Sequence, residues 1–182
     1  MPNTVTIFQN IRETETPFFK DVTYILKRIK EGKNQELVKK IRQEKNKTKR
    51  NDLKKNLPAI CFSGQFNKRS DSAIVEHSGL ICLDFDGYPK KKDLLEDKER
   101  FQKNKFIYSV FVSPSGNGLK VLVKIPPDQD NHSKYFNSLK KEFDSAYFDT
   151  TSKNLSRVCY ESYDRLLHIN PNSSVWEKIE EE

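Results

Sequence analysis

The chain has 182 residues, a net charge of +7, and 32% charged against 35% hydrophobic residues, so it is long enough for one domain with a buried core. No apolar run approaches the roughly 20 residues that a membrane span needs, so we expect a cytoplasmic protein with no membrane partner. Cys61, Cys82 and Cys159 form neither a C-x-x-C pair nor an even set, which argues against a disulfide framework and a zinc site.

Residues 1–56 are predicted to form a short strand and a basic helical arm. Val5 to Phe8 is an apolar stretch, and a helix ending at Gly32 is indicated by the spacing of Val22, Ile25, Leu26 and Ile29. A second helix begins near Leu37, and lysine and arginine dominate from Lys27 to Lys55. Two interpretations stay open: the arm contacts a nucleic-acid backbone, where cations release counterions, or it is a solvated helix face.

Residues 57–182 are predicted to form an α+β core. A first strand is expected at Leu57 to Phe62, followed by a turn-rich connector. The later elements are the strand Leu80–Asp86, the helix Lys90–Asn104, the strands Phe106–Val112 and Leu119–Ile125, the helix Asn131–Tyr147 and the strand Arg157–Tyr160. This βαββαβ order is typical of the ferredoxin-like or RRM-like fold, in which helices cover one face of an antiparallel sheet and leave the other open.

Strand alternation places carboxylates and lysines together on the face predicted to be open. Asp84 and Asp86 lie opposite the helix-facing residues Ile81, Leu83 and Phe85. In this fold the first and third strands are neighbours, so Lys120 and Lys124 share that face. Two adjacent carboxylates repel each other unless a cation neutralises them, which favours a Mg²⁺ or Mn²⁺ site. The alternative is that they end the strand and cap the turn at Gly87.

Further candidates surround this pair. Ser113, Ser115, Gly116 and Gly118 lie in a small flexible turn that can approach a phosphate, with Lys120 just beyond, although an ordinary hairpin turn is the common alternative. Asp149 is the preferred third acid over Asp144 and Asp164. Arg157 is expected to bind phosphate or template, or to form a structural ion pair. Arg69, His77 and Lys124 are candidates for the same cleft.

Three segments together resemble the VirE N-terminal-type domain of phage and mobile-element replication proteins, which is similar to the archaeo-eukaryotic primase (primase-polymerase) superfamily. They are LPAICFSGQFNKRSDSAIVEHSGLICLDFD, VFVSPSGNGLKVLVKI and FDTTSKNLSRVCY. In that superfamily a D-x-D pair and a third aspartate hold the metals, which corresponds to Asp84, Asp86 and Asp149. A small-x-histidine motif contacts the nucleotide and corresponds to SGNGLK, where Lys120 takes the histidine position.

The resemblance implies two-metal nucleotidyl transfer from nucleoside triphosphates on a single-stranded DNA template, in a bacterial or phage-infected cell. A replicative helicase is a further candidate partner, either on another chain or in a part of the protein outside this sequence, because no G-x-x-x-x-G-K-S/T motif occurs here. Two alternatives remain: a non-catalytic binding module of the same fold, and a haloacid-dehalogenase-like phosphatase suggested by LICLDFDG. The phosphatase is disfavoured because Tyr88 replaces that family's Thr or Val and its sheet is parallel.

Overall fold

The structure is a computed structural model that describes residues 3–181. The strands are β1 (Thr4–Phe8), β2 (Phe18–Asp21), β3 (Ala59–Cys61), β4 (Gly64–Phe66), β5 (Ile74–His77), β6 (Leu80–Phe85), β7 (Ile107–Val112), β8 (Leu119–Lys124), β9 (Cys159–Tyr160) and β10 (His168–Ile169). The helices are α1 (Val22–Glu31), α2 (Gln35–Gln43), α3 (Lys47–Lys54), α4 (Lys91–Gln102) and α5 (His132–Phe143). The protein is therefore a mixed α+β structure.

The central sheet has the order β10-β7-β8-β6, with every neighbouring pair antiparallel. The predicted adjacency of the first and third core strands is confirmed, because β6 pairs with β8 from Leu80↔Lys124 to Phe85↔Leu119. The predicted helix-facing side is also confirmed. Its β6 and β8 side chains share one buried cluster with apolar residues of α4 and α5, including Ile81, Leu83, Val121, Leu94, Phe136 and Leu139.

The other face of this sheet is not open, and that prediction was wrong. A second antiparallel sheet, in the order β2-β1-β3-β9, and helix α1 contribute to a buried cluster on that side. Leu80 and Leu122 of the central sheet join this cluster with Val5, Ile25 and Ile60. The physical reason is visible in the strands themselves, since leucines on the supposedly open face need an apolar cover.

The last predicted strand belongs to the second sheet and not to the central sheet as the βαββαβ order had suggested. Cys159–Tyr160 pairs with β3 rather than with β6. The outer edge of β6 is instead met by the segment after α5, through an isolated antiparallel bridge between Phe85 and Phe148. Helix α5 ends earlier than predicted, because Asp144 adopts a left-handed conformation with φ 37°. The chain can therefore turn back to the sheet immediately after α5.

The N-terminal arm is built into this structure rather than projecting from it. Its basic part consists of two helices, α2 and α3, and β1 pairs with β3. Arg28 of α1 forms an ion pair with the fully buried carboxylate of Glu161, with 2.6 Å between Nε and Oε1. The predicted connector contains the β4–β5 hairpin. The division at residue 56 stays a prediction, although both segments share a sheet and a core.

Within residues 3–181, no helix is long and apolar enough to cross a membrane. The three cysteines are free, as predicted. Cys61 and Cys159 are buried, whereas Cys82 is partly exposed. Burial raises the pKa of the Cys61 thiol to about 12, as expected for an unreactive core thiol.

An aromatic cluster fixes the end of β6 against the helices. The ring of Phe85 lies 4.7 Å from that of Phe101, 5.6 Å from that of Phe143 and 5.3 Å from that of Phe148, measured between centroids. Phe85 is fully buried between Asp84 and Asp86 in the sequence. The packing of this one ring therefore determines where both neighbouring carboxylates lie.

We predict that Phe85→Ala lowers the free energy of unfolding by about 3–5 kcal/mol, because it leaves a cavity inside this cluster. Urea unfolding followed by the fluorescence of buried Trp176 measures the change. Leu95→Ala is the control, since Leu95 is 48% exposed on α4 and its removal should cost about 0.5 kcal/mol or less. Equal losses for both variants would contradict the packing role of Phe85.

Candidate active site

Three carboxylates meet where β6 ends. Asp84 belongs to the strand, Asp86 follows it, and Asp149 is held beside them by its backbone N–H, which donates to the Asp84 carbonyl at 2.8 Å. One oxygen from each carboxylate can be chosen so that all lie within 4.8 Å of one another. Asp144 and Asp164 are not in this group. The structure thus brings together the three aspartates singled out in the sequence.

Lys120 faces Asp84 directly across the β6–β8 pair. Its Nζ lies 2.7 Å from Asp84 Oδ1, and the two side chains are only 12% and 8% exposed. Burial acts to lower the pKa of Lys120, but the negative charge of Asp84 outweighs it and the pKa is raised above its ordinary value. Lys120 is therefore charged and paired with a carboxylate, and its contact with a phosphate stays a prediction.

Asp149 has its own set of partners. Its Oδ2 accepts hydrogen bonds from Ser152 Oγ at 2.7 Å and from Arg157 Nη2 at 3.3 Å, and Oδ1 accepts from Thr151. Burial raises the pKa of Asp149, yet these donors together bring it below its ordinary value. Ser152 also lies 3.4 Å from Asp84 Oδ2 and so links two of the carboxylates. Sequence reasoning did not identify this buried serine.

Asp86 is the carboxylate that lacks a protein partner. Within residues 3–181 its side chain makes no hydrogen bond and no ion pair. Partial burial raises its pKa; the positive charge of Lys120 opposes this, and the negative charges of Asp84 and Asp149 add to it. Clustered carboxylate oxygens, one of which belongs to a carboxylate with no ion-pair partner, are ligands that suit a hard divalent cation such as Mg²⁺ or Mn²⁺.

The turn after β7 borders Asp86 and leaves room beside it. A Cβ atom added to Gly118 would lie 2.5 Å from Asp86 Oδ1 and 2.8 Å from the Phe85 carbonyl oxygen, so a larger residue would displace the carboxylate. The hydroxyl of Ser113 is buried without a hydrogen-bond partner. Gly116 has a positive φ of 81°, which glycine adopts without strain. The turn thus keeps space and an unpaired polar atom beside the carboxylates.

Arg42 of α2 fixes this turn, a role that sequence reasoning missed. Its Nη2 donates to the carbonyl of Ser113 at 3.1 Å and to that of Tyr163 at 2.8 Å. Burial lowers the pKa of Arg42 despite the opposing charge of Asp164. The basic composition of the arm was noted in the sequence, but no local spacing indicates which of its cations reaches the turn.

A cavity of about 190 Å³ opens over these groups. Its charged lining residues are Asp84, Asp86, Lys54, Lys120 and Arg157, and Ser113, Ser115 and Tyr160 also contribute. Lys54 comes from α3 and was not among the predicted site residues. The site therefore combines carboxylates from the central sheet with cations from three separate parts of the chain.

Arg69, His77 and Lys124, predicted as further cleft residues, are not among the residues that line this cavity. Arg69 donates to the Ile11 carbonyl at 3.0 Å. His77 and Lys124 border a different cavity of about 560 Å³. Lys124 is four residues from Lys120 along β8, which separates their Cα atoms by about 13 Å in an extended strand.

His77 is instead paired with His132, a contact that the sequence did not reveal. Its Nε2 lies 3.0 Å from His132 Nδ1, and its Nδ1 accepts the Gly79 N–H at 3.0 Å. Because Nδ1 accepts, Nε2 carries the proton that is donated to His132. Burial lowers the pKa of His77 to about 4 and that of His132 to about 3, so both rings are neutral near pH 7.

Residues 52–167 match the family described as BT4734-like, N-terminal domain, and the match covers more than half of the chain. The chain belongs to this family. The BT4734-like segment includes all three aspartates, the turn, Lys54 and Arg157. The resemblance to VirE N-terminal-type domains is not tested by the match and stays a prediction.

No curated protein matches the chain significantly. Among solved structures, the AEP domain of the cyanophage S-2L primase-polymerase is similar, with a TM-score of 0.49 and 12% sequence identity. The alignment covers 96% of this chain and 85% of that chain. A similarity of this size does not assign an activity to the BT4734-like domain.

We predict that the protein binds Mn²⁺ and that Asp86→Asn weakens binding about tenfold or more, because it removes the uncompensated charge. Titration with Mn²⁺, with the free ion measured by electron paramagnetic resonance, gives the affinity. Asp130→Asn, an exposed site outside the group, is the control. Unchanged binding in Asp86→Asn, or no binding by the wild type, would contradict a metal centre here.

The histidine pair predicts a pH dependence of stability. An unfolded histidine takes up a proton near pH 6.5, whereas folded His77 resists protonation down to about pH 4. Between these values the unfolded state binds more protons, so the free energy of unfolding falls as the pH is lowered through this window. Urea unfolding across the window should show a smaller pH slope for His77→Asn/His132→Asn than for the wild type. Equal slopes would show that the pair does not contribute.

Proposed function

We propose that this protein is a primase-polymerase-like nucleotidyltransferase that adds nucleotides to a 3′-hydroxyl on a single-stranded DNA template. The observation that carries the proposal is the clustering of Asp84, Asp86 and Asp149 at a cavity that Asp84 and Asp86 line together with cationic side chains. Carboxylates that hold a divalent ion beside positively charged groups are suited to phosphoryl transfer, in which negative charge must be gathered and stabilised.

Asp84, Asp86 and Asp149 would hold Mg²⁺ or Mn²⁺. When bound, such ions activate the attacking hydroxyl and stabilise the leaving pyrophosphate. The protein's own groups position these carboxylates: Lys120 neutralises and orients Asp84, while Ser152 donates to Asp149. Lys120 thus acts on the site through Asp84, and its occurrence at the histidine position of the primase superfamily fits a changed role for that position.

The turn from Ser113 to Gly118 and the side chain of Arg157 are proposed to contact the nucleotide. Ser115 lines the cavity and Ser113 offers an unpaired hydroxyl. Arg157 is held near Asp149 but its side chain is 41% exposed, so its remaining donors can reach a phosphate. The proposed substrates are nucleoside triphosphates and single-stranded DNA, in the replication of a phage or mobile element in the cytoplasm, with a replicative helicase as a further partner.

A second candidate is a non-catalytic module that binds nucleic acid or a replication partner. The observation that favours it is that two of the three carboxylates already have protein counterions, Lys120 for Asp84 and Arg157 for Asp149. Such ion pairs stabilise the site without any metal. The phosphatase alternative is disfavoured by the structure, because β6 has an antiparallel neighbour rather than lying in a parallel sheet.

The test is primer extension and de novo synthesis on single-stranded DNA with Mg²⁺ or Mn²⁺. We expect product from the wild type and a loss of about 100-fold or more in Asp84→Asn/Asp86→Asn, because metal-held charge is worth several kcal/mol in the transition state. Asp130→Asn should retain wild-type activity.

DNA binding by fluorescence anisotropy, with and without EDTA, separates the two candidates. Folded wild type that binds DNA but yields no product under either metal would overturn the transferase and support the binding module. Product formation that survives loss of both aspartates would show that synthesis does not use this site.

A further inference from the structure

One face of α3 carries three cations. Lys47, Arg50 and Lys54 are spaced at i, i+3 and i+7, which places their side chains along the same side of the helix. The Lys54 end of this face reaches the cavity that contains Asp84 and Asp86. We call this set of three residues the α3 cationic face. Arg50 and Lys54 are partly buried, whereas Lys47 is exposed.

The α3 cationic face has no carboxylate partner. In the part of the chain that the structure describes, none of its three side chains makes an ion pair or a hydrogen bond. Arg50 Nε is buried with no acceptor. By contrast, Lys55 on the same helix pairs with Asp52 at 2.8 Å. A buried donor without an acceptor is costly, so an acceptor supplied by a ligand would be stabilising.

The charges that act on Lys54 are mostly positive. Burial lowers its pKa most, and the charges of Arg50, Lys120 and Lys47 lower it further, whereas Asp86 opposes them. Cations thus repel one another within reach of the cavity. A polyanion lying along them would remove that repulsion and accept the unused N–H groups.

We propose that the α3 cationic face binds the polyphosphate chain of a nucleoside triphosphate. This assignment rests on the proposed function for the identity of the ligand and replaces Lys120 as the principal phosphate-binding lysine. Seven residues along a helix span about 10 Å, which is enough for a triphosphate that starts beside the metal carboxylates. Lys54 lines the cavity together with Asp86, and Arg50 and Lys47 lie about one and two turns back along α3.

The direct test is isothermal titration calorimetry with inorganic tripolyphosphate in Mg²⁺, on the full chain. Lys54→Gln and Arg50→Gln should each weaken binding about tenfold or more, because each removes a charge-assisted contact. Lys54→Arg should retain most of the affinity. The matched control is Lys49→Gln, which removes the same charge from the opposite, exposed side of α3 and should change affinity less than about twofold.

Steady-state synthesis provides a second readout. Lys54→Gln should raise the KM for the nucleotide about tenfold while changing kcat less. If Lys54→Gln and Arg50→Gln synthesise product at the wild-type rate with an unchanged KM, the α3 cationic face does not bind the triphosphate, and the proposed function still stands. Tripolyphosphate binding that depends on Lys54 in a protein without synthesis would support the anion site and count against the transferase.

The third measurement is the binding of single-stranded DNA, because a DNA backbone is the other ligand that could occupy the α3 cationic face. If Lys54→Gln and Arg50→Gln weaken DNA binding strongly but leave tripolyphosphate affinity unchanged, the α3 cationic face is a strand-binding surface and the nucleotide assignment is wrong. Circular dichroism and thermal unfolding of each variant verify that the fold is intact, and the Lys54→Arg variant distinguishes loss of charge from loss of packing.

Discussion

The ion pair between Asp84 and Lys120 is the interaction on which the site depends. Both residues lie in paired central strands with little access to solvent, where an unpaired charge would be strongly unfavourable. A shift of one residue in register would send each side chain to the opposite face of the sheet. The pair therefore fixes the register of β6 against β8, and that register in turn determines where Asp86 and the turn before β8 lie.

Around this pair, the negatively charged and most of the positively charged side chains come from different parts of the fold. The central sheet and the segment after α5 supply the aspartates, whereas α2 and α3 supply Arg42, Arg50 and Lys54. Cationic groups fixed in advance beside a carboxylate cluster reduce the reorganisation needed when a phosphate binds. The N-terminal helices α2 and α3 thus contribute positive charge to the site and are not a separate appendage.

The central strands, their helix-facing side and the Asp84/Asp86 pair were predictable because each depends on local alternation or on a short motif. Asp149 was chosen for its place after the second core helix and by resemblance. The second sheet and α1, which cover the other face of the central sheet, could not be predicted. The period-two pattern of β6 shows only that Leu80 is apolar and does not show which segment packs on it. The sheet joined by Cys159 likewise depends on pairing between segments that are far apart in the sequence. The histidine pair was missed for the same reason, since its two members are 55 residues apart. Lys54 was missed because its place at the cavity depends on how α3 packs on the rest of the chain.

The pairing of β1 with β3 has a consequence for how the molecule can be divided. The family match starts at residue 52, yet β3 exchanges hydrogen bonds with β1, and Arg42 holds the turn from a helix that precedes the match. A recombinant fragment cut at residue 52 would leave Ile60 and Leu122 without their cover and one edge of β3 unpaired. The smallest stable folding unit is therefore larger than the segment that homology delimits.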